Sequence, residues 1–186
     1  MWIVFERGGK SLSGLLFKIK GEFLGNERIY GIKKGKFLRH LFYNVDNFKC
    51  FLKTLLECIY YINKESGIVH CDIKPDNILI EYEAGDSLSE RIKFNNLKLI
   101  DFGSAFFINN PDNFSSNTPE YMPPEITELI ERKASNKEIT YFLKHLENYP
   151  HVIDIWSIGV MILEILLSCP LWMSYKAKTT INGKVT

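Results

Sequence analysis

Apolar residues recur at Phe51, Leu52, Leu55, Leu56, Ile59 and Tyr60. This is the 3.6-residue spacing of an amphipathic helix, and it predicts one from Phe48 onward. Asn44 or Asp46 offers a cap at its start, and Gly67 suits the left-handed position past its end. Two short β-like runs follow, residues 77–80 and 97–100, separated by a polar insertion containing Gly85-Asp86-Ser87. They predict paired strands flanking a loop. Residues 125–148 read as charged helical material, and 153–167 as a buried helix. Near the start, residues 2–6 read as the end of a buried strand broken by Gly8-Gly9, and residues 12–23 as a short helix. The basic, glycine-punctuated stretch 25–40, with Lys33, Lys34, Lys36 and Arg39, reads as a solvated loop. The pattern predicts a mostly α fold with a small β element (α+β).

Composition adds little beyond class. With 46% hydrophobic and 24% charged residues, the 186-residue chain has the make-up of one soluble globular domain or part of one. Lys+Arg 23 against Asp+Glu 22 gives no global field toward nucleic acid or an anionic membrane, so neither is expected as a partner. Cys50, Cys58, Cys71 and Cys169 form no CxxC pair and no zinc-type spacing, which predicts reduced thiols and a cytoplasmic or nuclear location. The N-terminus lacks the charged leader of a signal peptide. Residues 152–172 are apolar enough to suggest a membrane span, but Asp154, Glu164 and Pro170 interrupt them, and a buried soluble helix is the expectation.

The chemistry is concentrated in two runs. In HCDIKPDN, residues 70–77, Asp72 can accept the proton of an attacking hydroxyl, Lys74 can offset charge on a transferring phosphoryl group, and Asn77 can ligate magnesium through its amide oxygen. In LIDFGSA, 24 positions after Asn77, Asp101 ends a strand beside Phe102 and the flexible Gly103, a placement that suits a hard, oxygen-loving cation. Gly9-Lys10-Ser11 imitates the tail of a Walker A loop, but Val4 stands where that motif needs glycine.

Together these runs resemble the serine/threonine protein kinases. HCDIKPDN is similar to the kinase catalytic loop and DFG to its metal loop. TPEYMPPE resembles the end of an activation segment, DIWSIGVMILEIL the buried helix of the catalytic lobe, and IVFERGG the hinge between lobes. The resemblance implies Asp72 as the base that orients the substrate hydroxyl, Lys74 near the γ-phosphate, and Asn77 and Asp101 as holders of Mg2+. It further implies Phe5 as gatekeeper, Glu6 and Gly8 as backbone contacts to adenine, and Leu79 as the floor under the base. Asp154 would brace the backbone around His70 and Cys71, and Glu125 would close the activation segment. Lys74 and Thr118 point to serine or threonine substrates.

The implied architecture is a kinase-like C-terminal lobe, incomplete at both ends. Residues 1–12 would supply the end of a strand and the hinge, and 13–186 the lobe itself. A glycine-rich loop, a phosphate-gripping lysine and its glutamate partner do not fit in the five residues before Glu6. Cys71 stands where most kinases have arginine, which makes Ser115 and Ser116 poor phospho-switches. The expected function is ATP- and Mg2+-dependent phosphorylation of protein Ser/Thr by a completed domain. The alternative is an inactive kinase-like module that associates through its exposed N-lobe-facing surface, where Phe5, Leu79 and Phe102 lie.

Overall fold

The computed structural model describes residues 8–24, 27–111, 118–145, 151–171, 178–181 and 184–185. The strand expected at 2–6 lies outside them, as do Phe5, Glu6, Ser115 and Ser116. Among these residues the strands and α-helices run in the order β1 (Lys10–Ser11), α1 (Leu12–Leu16), β2 (Phe17–Leu24), β3 (Glu27–Lys34), α2 (Lys36–Tyr43), α3 (Val45–Tyr60), β4 (Ile68–Val69), β5 (Ile78–Glu83), β6 (Lys93–Leu99), β7 (Phe106–Phe107), α4 (Pro124–Glu131), α5 (Asn136–Lys144), α6 (Val152–Leu167), β8 (Lys178–Ile181) and β9 (Lys184–Val185).

The main helix forms where its periodicity places it. Of the two proposed caps, Asn44 serves: its extended backbone stops the preceding turn and its Oδ1 accepts from the Asp46 amide at 2.9 Å. Asp46 then sits in the first turn, where a carboxylate is favoured by the helix dipole. Phe51, Leu55 and Ile59 point into a core shared with Leu12 and Leu16 of α1, Phe37 of α2, Ile78 and Ile80 of β5, and Met161 of α6. Phe37 packs edge-on to Phe51, ring centroids 5.9 Å apart. Burying each such side chain contributes about 1.5–3 kcal/mol. β5 and β6 pair antiparallel from Ile78↔Leu99 onward, as their sequences predict.

Two expectations are corrected. The helix at 12–23 ends at Leu16, and the solvated loop at 25–40 is strand β3 followed by helix α2. Phe17, Ile19 and Phe23 alternate with Lys18, Lys20 and Glu22, a period of two that favours a strand over a helix. β2 and β3 form a hairpin in register from Phe17↔Lys34 to Leu24↔Glu27. Its base is pinned where the Gly35 amide donates to the Leu16 carbonyl at 2.7 Å. A Cβ at Gly35 would collide with the Leu15 carbonyl, so the chain can return beside α1 only through glycine. The β content is therefore larger than a small element.

A second core joins Val69, Phe106, Ile126, Leu129, Ile139 and Ile153, packing α4 and α5 against the start of α6. The charged helical material expected at 125–148 is thus two short helices, the second begun by a capping box between Ser135 and Glu138. No helix among the described residues is long and apolar enough to cross a membrane.

The loop between β5 and β6 is strapped to the α2–α3 corner. The Asn47 amide donates to the Glu90 carbonyl at 2.9 Å and its Oδ1 accepts from the Ile92 amide at 2.8 Å. Beneath this strap His40 is fully buried, and neither ring nitrogen makes a hydrogen bond of ordinary geometry to the described residues. Burial, then the neighbouring Lys36, holds its imidazole below the usual range, against the pull of Glu90. A lowered histidine pKa contributes stability that is present above the unfolded value near 6.5 and is lost as pH falls from there through the lower folded value. Urea denaturation should show stability declining from pH 7 to 5, with His40→Leu flattening the decline. An identical pH dependence in the variant would contradict this.

Candidate active site

The site is built around a bend that its own sequence does not favour. Cys71 sits at φ 64° and Asp101 at φ 63°, left-handed backbone that costs a non-glycine residue about 1–2 kcal/mol. The cost at Cys71 is offset by a buried carboxylate. Asp154, in the first turn of α6, accepts the His70 amide on Oδ2 and the Cys71 amide on Oδ1, each at 2.9 Å. A π turn at Tyr61–Glu65 ends α3 and carries Asn63 inward, where its amide donates to Asp154 Oδ2 at 2.9 Å and to the Ile68 carbonyl at 2.8 Å. Burial pushes the Asp154 carboxyl up, and these three donors pull it back.

With the bend held, the next residues converge. Asp72 is buried, and its Oδ2 accepts from Lys74 Nζ at 2.7 Å and from Asn77 Nδ2 at 3.0 Å. Its Oδ1 accepts from the Thr118 hydroxyl at 2.8 Å, and Lys74 Nζ also lies 2.8 Å from that oxygen. Asn77 donates in addition to the Asp72 carbonyl at 2.8 Å, which leaves its amide oxygen as the available ligand atom.

Asp101 is brought to the same place through its neighbours. The Ile100 amide donates to the Asn77 carbonyl at 3.0 Å, and His70 Nε2–H donates to the Ile100 carbonyl at 3.0 Å. That leaves His70 Nδ1 to accept the Asp72 amide at 3.3 Å. The Phe102 ring packs against His70 at a tilt of 58°, centroids 4.7 Å apart. Asp101 itself is exposed, with Oδ1 turned back toward the Gly103 amide at 3.4 Å. Among the described residues no three His, Cys, Asp or Glu side chains cluster as a metal cage. One amide oxygen and one carboxylate form the sparse, hard donor set that suits Mg2+ already carrying phosphate oxygens.

Gly8 and Leu79 also meet, since a Cβ on Gly8 would lie 2.5 Å from Leu79 Cδ1. Gly9, at φ 101°, has equally little room above the Ile80 carbonyl.

Comparison with known proteins decides the family. The protein kinase domain family model matches residues 22–186. The chain belongs to the protein kinase family. Serine/threonine-protein kinase dkf-1 of Caenorhabditis elegans is 32% identical over 114 residues, covering 60% of this chain and 12% of that protein. Calcium/calmodulin-dependent protein kinase kinase cmkC of Emericella nidulans is 34% identical over 122 residues, 63% of this chain and 18% of that one. Serine/threonine-protein kinase Aurora-2 of Arabidopsis thaliana is 25% identical over 163 residues, 83% and 48% respectively. This kinase chain therefore spans less than half the length of those relatives.

Within the kinase, sequence reasoning missed how the segment 118–122 is fixed. Tyr121 donates its hydroxyl to Glu164 Oε2 of α6 at 2.7 Å, and Ser157 donates to the Tyr121 carbonyl at 2.8 Å. The Leu171 amide occupies Glu164 Oε1 at 2.6 Å. Burial raises the Glu164 carboxyl, opposed by these two donors. The available signal was a glutamate inside an apolar helix, which at that position requires partners. Cys71 packs in the second core with Phe106, Met122 and Ile126, and burial, with Asp154 next, pushes its thiol well up. At this position the chain uses apolar packing.

Asp154→Ala would leave the His70 and Cys71 amides buried without acceptors. It should lower unfolding free energy by roughly 3 kcal/mol in urea titrations. A change within about 0.5 kcal/mol, the range of ordinary surface substitutions, would contradict the bracing role.

Proposed function

We propose that this chain carries the proton-accepting and metal-holding part of a serine/threonine protein kinase, which transfers the γ-phosphate of ATP to protein hydroxyls as a complete domain. The observation that carries the reading is the Asp72 carboxylate gripped at once by Lys74, Asn77 and Thr118. A base whose lone pairs are directed by three donors has a fixed orientation, and positioning is most of what phosphoryl transfer asks of a protein.

In this reading the substrate hydroxyl takes the place of the Thr118 hydroxyl beside Asp72 Oδ1 and passes its proton there. Lys74, already 2.8 Å from Thr118 Oγ1, would follow the incoming group and neutralise charge on the γ-phosphate. Asn77 and Asp101 would hold Mg2+, which when bound would offset the negative charge of the phosphates. Gly8 and Leu79 would lie against the adenine, with Phe5 and Glu6 completing that wall. A hydroxyl site next to threonine, with a lysine two residues after the base, supports serine or threonine as acceptor.

A second reading, a non-catalytic module, is supported by apolar surface left open. Phe102 is 44% exposed and Trp156 45%. Such surface suits association with another protein.

Two measurements separate these readings. In a complete domain containing this chain, Asp72→Asn should reduce phosphoryl transfer to a Ser/Thr peptide by at least a hundredfold, about the effect of losing a positioned base. An unchanged rate would sink the assigned role. For the 186-residue chain alone, Mg-ATP should give little thermal stabilisation, because Leu79 and Asp101 offer one wall of a cleft. A shift of micromolar affinity, abolished by Asp101→Ala, would contradict that expectation.

A further inference from the structure

The β2–β3 hairpin is basic within a nearly neutral chain, with Lys18, Lys20, Arg28, Lys33 and Lys34 against Glu22 and Glu27. Its register sets Lys18 directly opposite Lys33. Directly opposed residues share a face with Cβ atoms about 5 Å apart, and like charges there are destabilising. Lys20 follows on the same face. Gly31, its cross-strand partner, has no side chain to separate it from Lys33. Among the described residues no carboxylate pairs with Lys18, Lys20 or Lys33, and all three are exposed. Lys34 is spent differently, its Nζ 5.3 Å from the centre of the Phe42 ring.

Among the described residues, the strand order is β2-β3-β8-β9, so β2 is an edge with a neighbour on one side. Its eight residues give about 27 Å of extended backbone with alternate N–H and C=O groups directed outward. On the face opposite the lysines, Ile19 is 39% and Phe23 73% exposed. A strand added to this edge would meet Lys18 and Lys20, followed by Glu22, on one face and the apolar side chains Ile19 and Phe23 on the other.

We propose that the β2 edge is a docking site for an extended acidic segment of a protein partner, added to the sheet as a further strand. Acidic side chains at every second position would neutralise the Lys18–Lys20–Lys33 face, and the intervening apolar side chains would cover Ile19 and Phe23. The edge lies near the catalytic loop, because β2 leaves α1 without a break and the Ser13 hydroxyl of α1 donates to Asp76 Oδ1 at 2.8 Å. The docking does not depend on catalysis by the chain.

The test is fluorescence anisotropy of the 186-residue chain with a labelled ten-residue peptide of alternating glutamate and valine. Binding should weaken at least tenfold in the Lys18→Glu/Lys20→Glu double variant and on raising salt from 50 to 500 mM. A matched peptide with lysine in place of glutamate should prefer the double variant over the wild type, which also establishes that the variant's hairpin is intact. Amides of β2 should gain hydrogen-exchange protection in the wild-type complex. Absence of binding, which would leave the lysines as guards against edge-to-edge aggregation, overturns the proposal. So does equal affinity in the double variant, or tighter binding of duplex DNA than of the peptide.

Discussion

One buried carboxylate decides whether the loop at residues 70–77 has a shape. Asp154 is withdrawn from water, and its charge is compensated by the His70 and Cys71 amides and the Asn63 side chain. The arrangement is reciprocal. The carboxylate needs three donors to be tolerated at that depth, and two of those donors belong to a left-handed bend that would otherwise relax. Asp72 follows directly after that bend, so its direction is inherited from a residue 82 positions later in the chain.

α6 acts on the opposite side of the site as well. Glu164, ten residues beyond Asp154, holds the Tyr121 hydroxyl, and Ser157 holds the Tyr121 carbonyl, fixing the short turn that begins at Thr118. Thr118 then closes on Asp72 and Lys74. The same apolar helix therefore fixes the loop that carries Asp72 through one acid and the Thr118 side of the site through another. This explains why two acids interrupt a stretch that is otherwise greasy enough to resemble a membrane span.

The candidate site residues were legible because their grouping is local: Asp72, Lys74 and Asn77 fall within six positions, and Asp101 closely follows a strand whose partner is predictable. The long helix was legible because its period is unambiguous. The hairpin was not, because its alternating pattern is interrupted by Gly21, Gly25 and Gly31 and rich in lysine, which together imitate a solvated loop. Its fold depends on the non-local closure of Gly35 onto Leu16. Thr118 and Tyr121 were equally hidden as structural ties, since their partners lie more than forty residues away. Phe5 and Glu6, read from the hinge resemblance, belong to residues outside the described chain, and their roles rest on the proposal alone.

The central claim, that Asp154 fixes the loop at residues 70–77 by capturing two backbone amides, is tested most directly by native-state hydrogen exchange at His70 and Cys71. Both amides should exchange only through global unfolding, with protection matching the stability from urea denaturation. Exchange at these two amides as fast as at exposed loop positions such as Ser87 would contradict it.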